Sequence, residues 1–358
     1  MGGPEGRVRR LLNSAKKLVD PQHPLGKRAL DELPGLTGLS REGVRYALQH
    51  SFEVSASSGE VLELCASMPR VERAHVLLSS NVFVAALRAV ALGLAASERV
   101  FVRASRREPV MVRLLEEASS GAFRVVDELV PLPGDHLWAY GSDVTLAALR
   151  AELAAGVVLH PHGAGLGVAV FEAGVHGAAA EPRRIHSAAQ LLARDVGVFD
   201  QRGCLSPRLL VVRGGAEAAR ELCQRLAREL SAFELEVPRG EMSADEAADV
   251  TRYRDTFAYA GELFPAGKGS IGLDLEPDRV VIAPVGRHLH VVHSADPAAL
   301  LSSLEPEIAA LGTEVGPELG AELVRVLPRA RHSRIGFMQR PRLDGPVDRR
   351  PSPSGEVL

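Results

Sequence analysis

Cys204 directly follows Gly203 in the stretch Val198-Phe199-Asp200-Gln201-Arg202-Gly203-Cys204-Leu205-Ser206-Pro207. A glycine before a cysteine removes a side chain that would block approach to the sulfur. Where such a cysteine opens a helix, unpaired N–H groups and the helix dipole favour thiolate over thiol, and a thiolate is a nucleophile. Many cysteines are instead small buried apolar residues, and the local residues leave both readings open. The chain has three cysteines, Cys65, Cys204 and Cys223, odd in number and far apart. They form no disulfide framework and no CxxC metal pair, which fits a reducing, cytoplasmic setting. Cys223 lies beside a stripe of Leu222, Leu226 and Leu230 at helical spacing and is expected to be inert.

Other chemistry-bearing patterns are weaker. His288-x-His290 with His293, and His160-x-His162, have metal-ligand residue types but no carboxylate or cysteine close in sequence, so no metal is expected. No Gly-x-Ser-x-Gly is present for a serine hydrolase. No GxGxxG occurs at a strand-to-helix turn; Gly163-x-Gly165-x-Gly167 leads into a strand pattern, Val168 to Phe171, and is rejected as a dinucleotide fingerprint. Tyr140-Gly141-Ser142 is the better phosphate candidate, a strand end before a helix whose N–H groups could hold a pyrophosphate. A plain turn with a serine N-cap fits the same residues.

The elements that must position these groups alternate. Residues 1–70 read as polar-faced helices broken at Pro21, Pro24 and Pro34, with Ser40 as an N-cap. From His75 onward come strands at 75–78, 99–103, 123–126, 137–140 and 156–159, separated by helices at 82–96, 108–119 and 143–154. A second series follows: strand 166–171, helix 183–196, the cysteine segment, strand 208–213, helices 215–231 and 243–262, strands 279–282 and 289–292, and helix 296–303. Such alternation implies an α/β fold with doubly wound parallel sheets, which bind nucleotides at the carboxyl ends of strands. The expected division is an N-terminal helical region plus dinucleotide-binding domain over 1–157, a cysteine domain over 158–327, and a tail over 328–358 that is disordered from Pro351. Apolar residues reach 46% while aromatics are only 4%, so the core must be mostly Ala, Val and Leu. With 42 basic and 45 acidic residues, net charge −3, the chain gives no sign of a nucleic-acid or membrane-surface partner. The apolar run Val82 to Ala96 contains Arg88 and is too short to span a membrane.

Phe199-Asp200-Gln201-x-Gly203-Cys204-Leu205-Ser206-Pro207 resembles the nucleophile segment of the LuxC-type acyl-CoA reductases, the fatty-acid reductase branch of the aldehyde dehydrogenase superfamily. Other segments resemble that family in the same order along the chain. Ser79-Ser80-Asn81-Val82 resembles the turn whose asparagine amide holds the oxyanion, which makes Asn81 the implied donor. Arg99-Val100-Phe101-Val102-Arg103-Ala104-Ser105 resembles the strand bearing a lysine at the adenosine ribose. Here that lysine is Arg103. With Ser105, Arg106 and Arg107 behind it, the departure points to a 2′-phosphate and so to NADPH, with NADH possible; a solvated basic loop is the alternative. Tyr140-Gly141-Ser142-Asp143-x-Thr145 resembles the family's Gly-Ser turn at the cofactor phosphates.

The resemblance also has departures. Where hydrolytic aldehyde dehydrogenases carry a general-base glutamate, this chain reads Leu159-His160-Pro161-His162-Gly163. That loss favours a reductase, which must avoid hydrolysing its acyl-enzyme. His162 is then a candidate acid for the leaving thiolate or the aldehyde oxygen, or a structural histidine. Gly336-Phe337-Met338-Gln339-x-Pro341 and Asp344-Gly345-Pro346-Val347-Asp348 resemble the family's terminal segment, with its final His-Asp-Gly altered; the glutamate for the nicotinamide ribose has no counterpart. The resemblance implies two doubly wound domains with a cofactor and substrate cleft between them. It implies reduction of a fatty acyl thioester, on CoA or acyl carrier protein, to an aldehyde through a thioacyl-enzyme on Cys204. It further implies a homo-oligomer and an acyl-protein synthetase or transferase partner. Two alternatives remain: an acyl-phosphate reductase of the same fold, hinted at by Arg202 and Arg208, and a catalytically degenerate nucleotide- or partner-binding relative.

Overall fold

The computed structural model describes residues 2–80, 82–175, 177, 179–340, 342–343 and 356–358. The chain divides into two compact units, Met1–Ala164 and Gly165–Gln339, with the last residues joined to the first unit.

The first unit opens with four helices, α1 (Pro4–Val19), α2 (Pro24–Thr37), α3 (Arg41–His50) and α4 (Ser58–Ser67). α1 buries Val8, Leu11, Leu12, Ala15 and Leu18, a stripe at spacings of three and four, and packs against several later helices. Pro24 stands at the first position of α2, where its missing N–H costs nothing. Pro34 does not break α2 as expected. The Leu30 carbonyl, which a Pro34 N–H would have served, instead accepts a hydrogen bond from Arg41 Nη1 at 2.9 Å. Ser40 caps α3 through Gly43 N–H at 2.9 Å, as the sequence indicates.

A parallel sheet follows, formed by β1 (Arg73–Leu77), β2 (Arg99–Arg103), β3 (Arg124–Val125), β4 (His136–Tyr140) and β5 (Val158–His162). The helices α5 (Ala85–Ala96), α6 (Val110–Ala118) and α7 (Asp143–Glu152) connect its strands. The spatial order is β5-β4-β1-β2-β3, so the winding reverses between β1 and β4. β5 pairs in parallel with β4, which carries the first unit past the expected boundary at 157 to Ala164.

The second unit holds β6 (Leu166–Glu172), α8 (Glu181–Gly197), a 3-10 turn (Val198–Gln201), β7 (Pro207–Arg213), α9 (Ala216–Glu236) and α10 (Ala244–Ala260). It continues with β8 (Glu262–Ala266), β9 (Gly269–Leu273), β10 (His288–Ser294), α11 (Pro297–Ser302), β11 (Ile308–Glu314), α12 (Pro317–Val326) and β12 (Arg331–Arg334). Its sheet order is β12-β11-β6-β7-β10-β9-β8, parallel throughout except for the β8–β9 hairpin. Side chains alternate between two cores. Leu210, Val212, Leu289 and Val291 pack with α8 and α9, while Leu209, Val211 and Val292 pack with α11 and α12.

Two expectations need correction here. Residues 279–282 form no strand: Asp278 has left-handed φ of 61°, and the Arg279 side chain turns back to Asp274 at 2.6 Å. The strands of that region lie earlier, in the β8–β9 hairpin, whose tight turn Gly267-Lys268 uses Gly267 at φ 60°. In the tail expected to be disordered from Pro351, residues 351–355 lie outside the described residues, but 356–358 are placed in the fold. Residues Glu356–Val357 form β13, antiparallel to β5, and Leu358 packs on the core beneath. Among the described residues no helix is long and apolar enough to cross a membrane.

Candidate active site

Cys204 is delivered by an unusual piece of backbone. After α8 ends, Phe199, Asp200 and Gln201 all take left-handed conformations, with φ of 54°, 50° and 62°. Left-handed L-residues cost roughly 1–2 kcal/mol each, so three in a row need outside support. Asp200 supplies part of it. Its buried carboxylate accepts from Arg287 Nε at 2.9 Å and from Gly240 N–H at 3.0 Å, and its carbonyl accepts from Gly286 N–H at 2.9 Å. Gln201, also buried, spends its whole amide on backbone. Nε2 donates to Pro207 and His288 carbonyls at 2.8 and 2.7 Å, and Oε1 accepts from His288 N–H at 2.7 Å. The left-handed segment is thus bolted to β7 and β10.

The cysteine sits one step beyond, in a turn closed by Ser206 N–H to the Gly203 carbonyl at 3.0 Å. Gly167 on β6 lets this turn pass close, since a Cβ there would stand 2.3 Å from the Ser206 carbonyl oxygen. The glycine-rich stretch Gly163-x-Gly165-x-Gly167 thus has a packing use at Gly167. Cys204 precedes a strand rather than opening a helix, so helix-dipole activation is not available to it. It is half-buried, whereas Cys65 and Cys223 are buried, and burial pushes both of those thiols up, Cys223 far beyond the working range.

The same turn is held from a third side. Gln339 Nε2 donates to Ser206 Oγ at 3.0 Å and to the Asp195 carbonyl at 3.3 Å. Asp195, on α8, accepts Gly336 N–H at 2.5 Å and Met338 N–H at 3.1 Å through its carboxylate. Arg331 on β12 donates to the Met338 carbonyl at 2.6 Å and the Phe337 carbonyl at 3.3 Å. The strip Gly336–Gln339 is therefore gripped along its N–H groups by one charge and along its carbonyls by the other. Burial raises Asp195 to about 7 against the opposing pull of those N–H bonds.

In the first unit, Gly141, Ser142 and His162 come together where β4 and β5 end. Gly141 N–H donates to the His162 carbonyl at 3.1 Å, so it is not open to a phosphate. Ser142 Oγ caps α7 through Thr145 N–H at 3.2 Å and lies 2.9 Å from Thr145 Oγ1. The N-cap reading of this turn is therefore realised, and only hydroxyl groups and the N–H groups of the first turn remain for an anion. The His162 ring is buried and stacks on Tyr140, with centroids 4.3 Å apart and planes 9° apart.

Arg103 ends β2, two strands away across the winding reversal. Its side chain and that of Arg106 make no ion pair or hydrogen bond among the described residues. Ser105 Oγ accepts Arg107 N–H at 3.2 Å and shapes the loop. Asn81 lies outside the described residues, as does the segment Asp344-Gly345-Pro346-Val347-Asp348.

His288, His290 and His293 each place a ring nitrogen against a neighbouring oxygen. His288 Nδ1 meets Ser270 Oγ at 2.7 Å, His290 Nε2 meets the Arg279 carbonyl at 3.2 Å, and His293 Nε2 meets the Leu275 carbonyl at 3.3 Å. Burial lowers His288 to about 3 and His290 to about 4, keeping both neutral. His160 stacks on Trp138 and meets His136 Nδ1 at 2.9 Å. Among the described residues no His, Cys, Asp and Glu cluster could hold a metal ion.

Sequence reading missed Asp195, Asp200, Gln201, Arg287 and Gln339 as supports of the cysteine turn. A signal for two of them exists: Asp200 and Gln201 are short or amide-bearing polar residues flanked by an apolar helix end and strand, where unpaired polar groups are costly.

The sequence profile of the LuxC acyl-CoA reductase family matches residues 124–313, more than half of the chain. No curated protein sequence matches. Solved structures similar to this one include an oxidoreductase from Marinobacter aquaeolei, with TM-score 0.70 and 11% identity over 99% of this chain and 84% of that one. A NAD-dependent aldehyde dehydrogenase from Sinorhizobium meliloti gives TM-score 0.63 and 17% identity over 92% and 74%. An NADP-dependent glyceraldehyde-3-phosphate dehydrogenase from Bacillus halodurans C-125, complexed with NADP, gives 0.63 and 12% over 94% and 79%. The fold is that of the aldehyde dehydrogenases, and the chain belongs to the LuxC family of acyl-CoA reductases, oxidoreductases acting on acyl and aldehyde groups.

Proposed function

We propose that this protein reduces a fatty acyl thioester, carried on CoA or acyl carrier protein, to the aldehyde, with Cys204 as nucleophile and NADPH as reductant. The observation that carries the reading is the contrast among the cysteines. Cys204 is the half-buried one, set in a turn fixed by Gln201 and Gln339, while Cys65 and Cys223 are buried and disfavoured as thiolates.

In this reading the Cys204 thiolate attacks the thioester carbonyl, the carbon–sulfur bond to the carrier breaks, and the carrier leaves as a thiol. Asn81 and the Cys204 N–H are the oxyanion donors and His162 is the candidate acid. A thioacyl-enzyme remains on Cys204. When bound, the cofactor supplies the hydride that reduces the thioacyl carbonyl. The thiohemiacetal then collapses to aldehyde and returns Cys204. At the cofactor end, Arg103 and Arg106 bring positive charge with no ion-pair partner among the described residues, which suits a 2′-phosphate. Ser142, at the start of α7, is the candidate for the pyrophosphate, while Gly141 contributes shape rather than its engaged N–H.

The acyl-phosphate alternative needs basic side chains available beside Cys204. Arg202 is paired with Glu246 at 3.1 Å, and Arg208 Nε donates to the Ala283 carbonyl at 2.5 Å. Both are spent on structure, which favours the thioester.

The test is oxidation of NADPH and of NADH with butyryl-, octanoyl- and palmitoyl-CoA, wild type against Cys204→Ala. Cys204-dependent oxidation matched by aldehyde is the expected result. Equal turnover by both proteins, or none by either while nucleotide still binds, would sink the proposal.

A further inference from the structure

The structure assigns to Gln339 the role of a positioning residue for Cys204, acting through Ser206. This inference rests on Cys204 being the nucleophile and adds a residue far along the chain to its machinery.

Three observations carry it. First, Gln339 Nε2 reaches Ser206 Oγ at 3.0 Å, and Ser206 is the closing residue of the turn that presents Cys204. Both side chains are buried, so water cannot replace the bond. Second, Gln339 is itself held. Its amide also donates to the Asp195 carbonyl at 3.3 Å, and the strip preceding it is gripped between the Asp195 carboxylate and the Arg331 guanidinium. Such a support transmits position, because its own freedom has been removed. Third, the backbone entering the turn is already fixed by the Gln201 amide to β7 and β10. A segment that enters on three left-handed residues is strained, and it holds one geometry only while every side is restrained. On the exit side of the sulfur Gln201 holds only the Pro207 carbonyl, and Gln339 adds the restraint on the Ser206 side chain.

Gln339 does not act as an acid, base or oxyanion donor in this scheme. It sets where the sulfur stands, so its loss should slow acylation and leave substrate affinity alone. The experiment uses Gln339→Met, which keeps length and removes the donors, Ser206→Ala, which removes one oxygen, and the double variant. Release of CoA from octanoyl-CoA is followed in a single turnover, with KM from steady state and folding from thermal melts.

The expected result is a roughly tenfold to hundredfold slower release in each single variant, with KM within about twofold of wild type. The double variant should be no slower than the worse single, because both changes remove one link. Unchanged rates in folded Ser206→Ala would overturn the inference, as would losses that multiply in the double variant. Should Gln339→Met fail to fold, Ser206→Ala decides alone. Turnover that survives Cys204→Ala refutes the nucleophile reading instead, so the two failures are distinguishable.

Discussion

Asp200 and Arg287 form a buried ion pair, Nε to carboxylate at 2.9 Å, and both residues stand in the left-handed region, at φ 50° and 71°. Each strained residue is thus tied to the other, and together they support the backbone that leads to Cys204. Arg287 is also paired with Glu234 at 2.9 Å and donates to the Val237 carbonyl at 2.6 Å.

Removing one partner strands a buried charge. Arg287→Leu is expected to lower stability by about 3–5 kcal/mol. Asp200→Asn should cost less, since the amide keeps an acceptor for Gly240 N–H. Urea unfolding of the two variants checks this. Equal and small losses would show that the pair does not brace the turn.

Asp195 yields a prediction with a definite sign. Its folded value, about 7, lies above the ordinary carboxylate value, so the native protein binds a proton that the unfolded chain releases. Stability from this group is present at low pH and is lost as pH rises through about 7. Between about pH 4 and 7 the loss is at most roughly 1.4 kcal/mol per pH unit. Asp195→Asn carries no charge to bury, so its stability should fall less over that window. Urea midpoints of both proteins at mildly acidic and neutral pH measure the gap. A wild type that gains on the variant as pH rises would reverse the sign and show that the Gly336 and Met338 N–H bonds outweigh burial.

Much of the fold is written in local patterns. The alternation of apolar strands with helices such as Val82 to Ala96 is enough to indicate two doubly wound sheets, and the Ser40 cap is realised. What sequence reading misses are effects of distant partners. Pro34 looks like a helix end because nothing nearby reveals that Arg41 will satisfy Leu30. The Cys204 segment reads as a candidate helix start because its left-handed run has no local sequence signature; it is imposed by Arg287, Gly286 and Gly240. Gln339 stands more than a hundred residues from Ser206, and only the sheet brings them together.

Cofactor choice turns on charge at the end of β2. Arg103→Ala should raise KM for NADPH by about tenfold or more, the loss of one forked charge-assisted contact, and leave KM for NADH within about twofold. Initial rates with each nucleotide at saturating octanoyl-CoA are the measurement. Equal effects on both nucleotides would place Arg103 away from the 2′-phosphate.

Thiol chemistry provides the simplest check on the cysteine contrast. Iodoacetamide reacts with accessible thiolate. Cys223 is fully buried and Cys65 nearly so, and burial pushes both thiols up. Native protein at neutral pH should therefore be modified at Cys204 at least about tenfold faster than at either other site, resolved by peptide mass. In urea the three rates should converge, because the difference lies in the folded environment and not in the residues. Convergence without native selectivity would mean that Cys204 is as shielded as the others, and the turn held by Gln201 and Gln339 would then be a packing device rather than the seat of a nucleophile.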